Sequence, residues 1–285
     1  MSKELSEALK IEQSINKKFR KTIWSQFVTA VKRYKLIEEN DKIAVCISGG
    51  KDSMLLAKLM QMLQRYSDFP FGLEYIVMDP GYVKENRKKI ETNSKLLGID
   101  IRTFENDIFG SVVSVKNSPC YLCARMRRGY LYEYAKSLGC NKIALGHHFD
   151  DVIETTVMAM FYGAQLQAMP PKLRSTSHPG MQLIRPLYMV SEDDICAWRD
   201  HNGLSFLRCA CRFTEMADIE EGYSKRLEVK NLLRSLKKDN PLIRMNIFNS
   251  IYNVCLDTFC EYKSGGVHYD FNEIFEKFDL EQYES

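Results

Sequence analysis

Ser48-Gly49-Gly50-Lys51-Asp52-Ser53 packs two glycines, two hydroxyls, a lysine and a carboxylate into six residues. Glycines let a backbone approach an anion closely, hydroxyls donate to it and an ammonium neutralises it, so the segment suits phosphate. A carboxylate beside phosphate is repelled unless a cation stands between them, which reads Asp52 as a magnesium ligand. The plainer reading makes Ser-Gly-Gly a turn and Ser53 an N-cap. A second cluster is Pro119-Cys120-Tyr121-Leu122-Cys123, followed by Arg125, Arg127 and Arg128. Thiolates at this spacing can face one metal or exchange a disulfide, and zinc, iron-sulfur and redox chemistry all fit. Cys209 and Cys211 add further thiolates if the chain folds back: four make a structural zinc site, and three leave a metal position open. In Gly146-His147-His148-Phe149-Asp150-Asp151, imidazoles and carboxylates could bind metal or move protons; Asp150 alone reads equally well as a helix cap, but the place at the end of a strand favours a catalytic role for at least one aspartate.

These groups need positioning. Lys42 to Ile47 is an apolar, β-branched run of strand length that ends at the glycines, and a helical apolar pattern starts at Met54. Strand, glycine loop and helix start place unpaired N–H groups and the positive end of a helix dipole at the anion. Leu73 to Met78 reads as a second strand, Lys84 to Leu97 as a helix closed by Gly98, Ile99 to Phe104 as a third strand and Lys142 to Gly146 as a fourth, with a helix after it that the prolines 170 and 171 end. Strands alternating with helices predict a parallel sheet with ligands at its carboxyl edge. Gly146 and His147 then stand beside the nucleotide. Residues 1–36 read as helix, Ser191 caps another that runs to Asn202, and residues 217–262 give one or two more, broken near Pro241. Phe271 to Tyr283 is an acidic, aromatic tail.

The 285 residues, 45% hydrophobic and 27% charged, describe a globular chain with a substantial core. No run approaches the roughly 18 apolar residues of a membrane span, and no signal-peptide core stands at the N-terminus, so the expectation is a cytoplasmic protein without membrane contact. Nine cysteines there point to reduced thiols, metal ligation or catalysis before disulfides. Cys46, Cys140, Cys196, Cys255 and Cys260 read as core residues. The net charge is +3, but residues 270–285 set six carboxylates against Lys277, so the preceding chain is distinctly basic. Basic clusters at residues 17–21, 125–128, 172–174 and 225–238 read singly as solvated faces and together as the mark of a polyanionic substrate.

Ser-Gly-Gly-x-Asp-Ser is not the phosphate loop of kinases and GTPases. It resembles the PP-loop of the N-type ATP pyrophosphatases, which implies cleavage of ATP between the α and β phosphates. With Pro119-Cys120-x-x-Cys123-Ala124-Arg125-x-Arg127-Arg128-Gly129, Gly146-His147-His148-x-Asp150-Asp151, Met169-Pro170-Pro171-Lys172-Leu173 and Ile184-Arg185-Pro186-Leu187 in this order, the chain from about Ile43 to Phe259 resembles the tRNA 2-thiocytidine synthetases. The resemblance implies an α/β fold: a Rossmann-like, parallel-sheet PP-loop domain over 37–215, with a helical segment at 1–36 and C-terminal helices and tail at 216–285. It implies an ATP-dependent tRNA sulfurtransferase that forms 2-thiocytidine at cytidine 32, with ATP, Mg²⁺ and a 4Fe-4S cluster. Ser48, Gly49, Gly50, Lys51, Asp52, Ser53, Gly146 and His147 would bind nucleotide and magnesium, and Asp151, Asp150 and Lys51 would serve catalysis. Cys120, Cys123 and Cys209 would ligate the cluster. Relatives carry Pro before the third cysteine and this chain does not, so Cys211 competes with Cys209. A cysteine desulfurase as sulfur donor and a homodimer follow from the resemblance alone. An ATP pyrophosphatase for a small molecule with structural zinc, and a nucleotide-bound redox or metal sensor, remain the alternatives.

Overall fold

The computed structural model describes residues 6–106, 119–207 and 225–276. Its organising strand is β1 (Lys42–Ile47), whose Ile43, Ala44, Val45, Cys46 and Ile47 are all buried, as a strand covered on both faces must be. β2 (Gly72–Asp79) pairs with it in parallel on one side and β4 (Lys142–Ala144) on the other; β3 (Arg102–Glu105) extends the sheet beyond β2, and β6 (Gln182–Ile184) beyond β4. β5 (Lys172–Arg174) joins antiparallel at the edge, and the order is β3-β2-β1-β4-β6-β5. Chain progression reverses between β1 and β4, which makes the crevice beyond their carboxyl ends the topological switch point where open sheets bind ligands.

The helix Lys51–Tyr66 packs on one face of the sheet, where Leu55, Leu56 and Leu59 meet Val45, Ile47 and Val77, together with Trp198 from the helix Glu192–His201. On the other face Tyr132 and Ala135, from the helix Pro119–Ser137, meet Ala44, Ile76 and Ile143. Both faces are covered, as the parallel α/β expectation required.

The N-terminal segment shares this core. It is not one helix: Glu7–Asn16 and Ser25–Arg33 are α-helical and Arg20–Trp24 is a π-turn. Ile15, Phe19, Ile23 and Phe27 are all buried at four-residue steps. In an ideal α-helix three such steps rotate the face by about 120°, and the wider π-turn takes up part of that drift. The Glu12 carboxylate ties this segment to the helix Lys51–Tyr66 through Lys58 at 3.2 Å and Arg65 at 2.5 Å. Burial pushes the Lys58 ammonium below its usual range despite that partner.

Other expectations shift. Gly98 closes the helix Lys84–Leu97 in the left-handed conformation at φ 68°, while the third strand begins at Arg102 rather than Ile99. The fourth strand stops at Ala144, because the chain turns at Leu145 and Gly146 toward the next helix, Phe149–Gly163. That helix ends at Gly163, with Ala164 left-handed at φ 49°, well before the prolines expected to end it. Ser191 does cap Glu192–His201, accepting from the Asp194 N–H at 3.2 Å. Lys225–Asp239 and Ile243–Ser250 are helices separated around Pro241, and a hairpin of Tyr262–Ser264 and Val267–Tyr269 follows, which periodicity did not suggest. The tail starts as a short helix, Phe271–Glu276. The chain divides into two compact units, Met1–Leu232 and Leu233–Ser285; the expected boundary at residue 215 lies outside the described residues. Among the described residues no helix is long and apolar enough to cross a membrane.

Phe27 is fully buried between the N-terminal helices and the sheet core. Phe27→Ala should lower the unfolding free energy by about 3–5 kcal/mol in chemical denaturation. A detachable N-terminal appendage would leave the main transition unmoved.

Candidate nucleotide site

The loop after β1 is shaped by its glycines. Gly49 has φ +83°, and a Cβ there would lie 2.7 Å from Ile90 Cγ1 and 2.9 Å from Leu207 Cδ1, so no other residue fits without displacing both. Gly50 occupies the N-cap of Lys51–Tyr66 with no side-chain cap, and the first helical bond runs from the Met54 N–H to the Gly50 carbonyl. The preceding N–H groups point past the helix start, which is the property an anion uses. Ser53 closes the loop rather than capping the helix: its Oγ accepts from the Ser48 N–H at 3.1 Å and donates to the Gly50 carbonyl at 3.0 Å. Ser48 Oγ lies 3.1 Å from Ser53 Oγ.

Gly146 explains how the two loops meet. A Cβ at this position would sit 3.1 Å from the Ser53 N and 3.2 Å from the Asp52 carbonyl carbon. A side chain here would force the chain leaving β4 and the first turn of Lys51–Tyr66 apart by a few tenths of an ångström. That crossing brings His148 to the phosphate loop, with Nε2 3.8 Å from Asp52 Oδ1.

His148 caps the helix Phe149–Gly163 in a capping box: its ring accepts from the Asp151 N–H while Asp151 Oδ2 accepts from the His148 N–H at 3.0 Å. Asp151 Oδ1 faces Arg226 at 2.7 Å, and the same guanidinium reaches Glu154 Oε2 at 3.0 Å. Burial raises the Asp151 pKa, but His148 and Arg226 outweigh it and hold the carboxyl below its usual value. Glu154 goes the other way, burial outweighing Arg226. Asp150 Oδ2 accepts the Glu192 N–H at 2.7 Å, tying two helix starts together. His147 Nδ1 is buried without a hydrogen-bond partner among the described residues, and burial, with Arg185 and Arg226 nearby, depresses the imidazole to about 4.

Lys51 lies 3.1 Å from both Asp52 Oδ1 and Glu192 Oε1. Burial favours its neutral form, yet the two carboxylates prevail and keep its pKa above the ordinary lysine value. Asp52 Oδ1 is buried, with the Lys51 ammonium beside it and no well-formed hydrogen bond among the described residues. A cavity of about 400 Å³ opens at the ends of β2 and β3, lined by Asp79, Tyr82, Arg87, Ile90 and Glu105 among others. Ile90 is the side chain that crowds Gly49, so cavity and loop share a wall. Asp79 is nearly fully buried and accepts from the Gly81 and Tyr82 N–H groups at 2.8 and 2.7 Å.

Ser48, Gly49, Gly50, Lys51, Asp52, Ser53, Gly146, His147, Asp150 and Asp151 therefore all stand at the carboxyl edge around the switch point. Cys120 and Cys123 lie in the first turn of Pro119–Ser137. That helix ends beside the start of β4, and its Met126 and Tyr130 pack on Met78 near the end of β2, so its first turn points toward the same edge. The side chains of both cysteines, and Cys209 and Cys211 entirely, fall outside the described residues. Among the described residues no group of three His, Cys, Asp or Glu is placed to hold a metal ion. Of the cysteines read as core, Cys46 and Cys140 are buried, and burial drives both thiols up, Cys140 to about 11. Cys196 is half-buried; Cys255 and Cys260 are exposed, a correction that follows from their place in a stretch whose Tyr252, Val254 and Leu256 are exposed as well. Asp79, Arg87, Glu192, Arg226 and Lys230 escaped the sequence reading. Asp79 had a signal, since it ends a strand at the carboxyl edge; Arg226 and Lys230 stood out only as part of the basic stretch 225–238, and Arg87 and Glu192 had none.

Residues 12–210 match the protein family described as PP-loop domain. The tRNA-cytidine(32) 2-sulfurtransferase of Syntrophotalea carbinolica is 36% identical over 79% of this chain and 86% of its own. That of Bdellovibrio bacteriovorus is 35% identical over 88% of this chain and 93% of its own. Among solved structures, the U34-tRNA thiolase NcsA from Methanococcus maripaludis with its [4Fe-4S] cluster aligns at a TM-score of 0.64 and 22% identity, covering 90% of this chain and 86% of that one, a likeness of fold. With its phosphate loop at the switch point and this agreement along most of its length, the chain belongs to the tRNA-cytidine(32) 2-sulfurtransferase family of PP-loop proteins.

Proposed function

We propose that the protein is an ATP-dependent tRNA sulfurtransferase that replaces the C2 oxygen of cytidine 32 with sulfur, acting in the cytoplasm. The observation that supports this most is the meeting of an uncapped, glycine-shaped helix start with His148 and Asp151 at one crevice, in a chain of this family. The C2 oxygen of cytosine is a poor leaving group. ATP converts it to an adenylate with release of pyrophosphate; sulfur then bonds to C2, and the C2–O bond breaks as AMP departs.

In this reading Ser48, Gly49, Gly50 and Ser53, with the free N–H groups behind them, receive the departing pyrophosphate, and Lys51 neutralises it. The buried Asp52 Oδ1, a hard donor with no hydrogen bond beyond the Lys51 ion pair among the described residues, would hold Mg²⁺. Gly146 and His147 border the nucleotide; with its pKa near 4 the His147 ring is neutral at physiological pH and orients a ligand by hydrogen bonding, not charge. Asp151, ionised and held by His148 and Arg226, is the acid/base group, with Asp150 beside it as the alternative. Cys120 and Cys123, a soft pair in one helical turn, would hold a [4Fe-4S] cluster with Cys209, and this cluster supplies an iron position open to sulfur when bound. The basic stretches would meet tRNA phosphates, offsetting the few kcal/mol needed to unstack the target base. A cysteine desulfurase supplies the sulfur, and the enzyme works as a homodimer.

Anaerobically purified protein given tRNA, ATP, Mg²⁺ and sulfide should yield 2-thiocytidine on nucleoside analysis and release AMP. ATP turnover without thiolated tRNA would point to a small-molecule substrate. Ser53→Ala and Cys120→Ala should each abolish thiolation, but only Cys120→Ala should lose absorption near ~400 nm from thiolate-bound iron; retained colour would refute the ligand assignment. Gly146→Ala places its methyl against the Ser53 N, and should lower stability by about 1–3 kcal/mol and weaken ATP binding with it, the colour unchanged.

A further inference from the structure

Glu192 is where the charges of the site cross, although it belongs to no motif. Its backbone N–H donates to Asp150, its Oε1 lies 3.1 Å from Lys51 Nζ, and its Oε2 lies 2.6 Å from Lys230 Nζ. All three side chains are largely shielded: Glu192 is 16% exposed, Lys51 19% and Lys230 26%. Lys51 faces a second carboxylate, Asp52, on its other side. Burial pushes the Glu192 pKa up, but the two lysines overcome it and hold the acid at about 2, so it is ionised throughout the physiological range.

Consider an incoming triphosphate, as the function proposed above requires. Lys51 can neutralise the phosphates only by turning from Glu192, which then stands as an ionised carboxylate close to an anion. Left alone it repels the nucleotide and pulls Lys51 back. Lys230 occupies the opposite oxygen of the same carboxylate, so it stays in place when Lys51 leaves. We propose that Lys230 is a positioning residue for nucleotide binding, which acts through Glu192: it neutralises this carboxylate and so frees the Lys51 ammonium for the triphosphate. The alternative is that Lys230 merely anchors the helix Lys225–Asp239.

The test is a double-mutant cycle on the full-length protein, read by calorimetric titration with Mg²⁺-ATP and by thermal melting. Wild type should bind, and its failure to do so would remove the nucleotide reading on which the inference rests. Lys230→Gln should bind ATP roughly fivefold more weakly. Glu192→Gln should bind at least as tightly as wild type, and in that background the loss of Lys230 should change affinity by less than about twofold. Additive losses, or no effect of Lys230→Gln, with wild type binding normally, would overturn the role of Lys230 and leave the nucleotide site standing. Should Lys230→Gln fail to fold, Glu192→Gln alone decides: weaker binding than wild type overturns the proposal, and binding at least as tight supports it.

Discussion

The site depends on one close crossing. The backbone at Gly146, leaving β4, passes the first turn of Lys51–Tyr66 so closely that a methyl would have to push the two apart. This contact sets the separation of the two loops at the switch point. It brings the His148 ring near Asp52 and starts the helix Phe149–Gly163 where its capping box can hold Asp151 toward the crevice. Gly49 sets a matching constraint on the other wall, where Ile90 and Leu207 close in around a left-handed backbone. The phosphate loop is thus fitted from both sides by packing, and its helix start is left without a side-chain cap. The first N–H groups of a helix have no intrahelical partner, and a half-buried start without a side-chain cap is a setting that suits an anion.

Carboxylates gathered at the same edge create the opposite problem. Asp52, Asp150, Asp151, Glu154 and Glu192 all stand near the crevice, and unpaired carboxylates with little solvent would rather be protonated. The chain answers with three cations from two places: Lys51 in the loop, and Arg226 and Lys230 on one turn-spaced face of Lys225–Asp239. Glu154 shows how narrow the margin is, since even with Arg226 at hydrogen-bond distance its pKa stays above the usual range. These pairs are exchangeable by nature. A metal ion and a polyphosphate bring charges of both signs, so partners can be traded without leaving a buried ion alone.

Away from the crevice, buried charge serves the scaffold. Lys142 is 1% exposed in β4 and pairs with Asp41 at 2.6 Å, also donating to the Leu36 carbonyl. Lys58 does the same for the N-terminal helices through Glu12. Both pairs lie where a connecting segment docks on the sheet layer, and each gives a buried ammonium the partner it needs. The π-turn at Arg20–Trp24 has a related role, correcting the rotation of an apolar face that a straight helix would carry away from the core.

Local sequence was enough to read the sheet's central strands, the glycine loop and the limits of Lys84–Leu97 and Glu192–His201, because strand burial, glycine conformations and caps are decided by residues within a few positions of one another. Lys42–Ile47, Gly98 and Ser191 each announce themselves in that way. The family likeness likewise rests on short motifs that carry their own chemistry. Tertiary structure alone decided what the charged groups do. Asp150 is a tie between two helix starts, Ser53 a loop closure, and Glu192, Arg226 and Lys230 become part of the site through contacts spanning up to 141 residues of sequence. The physical reason is range: a backbone preference is satisfied by neighbours in the chain, whereas a partly buried charge is satisfied by whatever opposite charge the finished fold brings within a few ångströms.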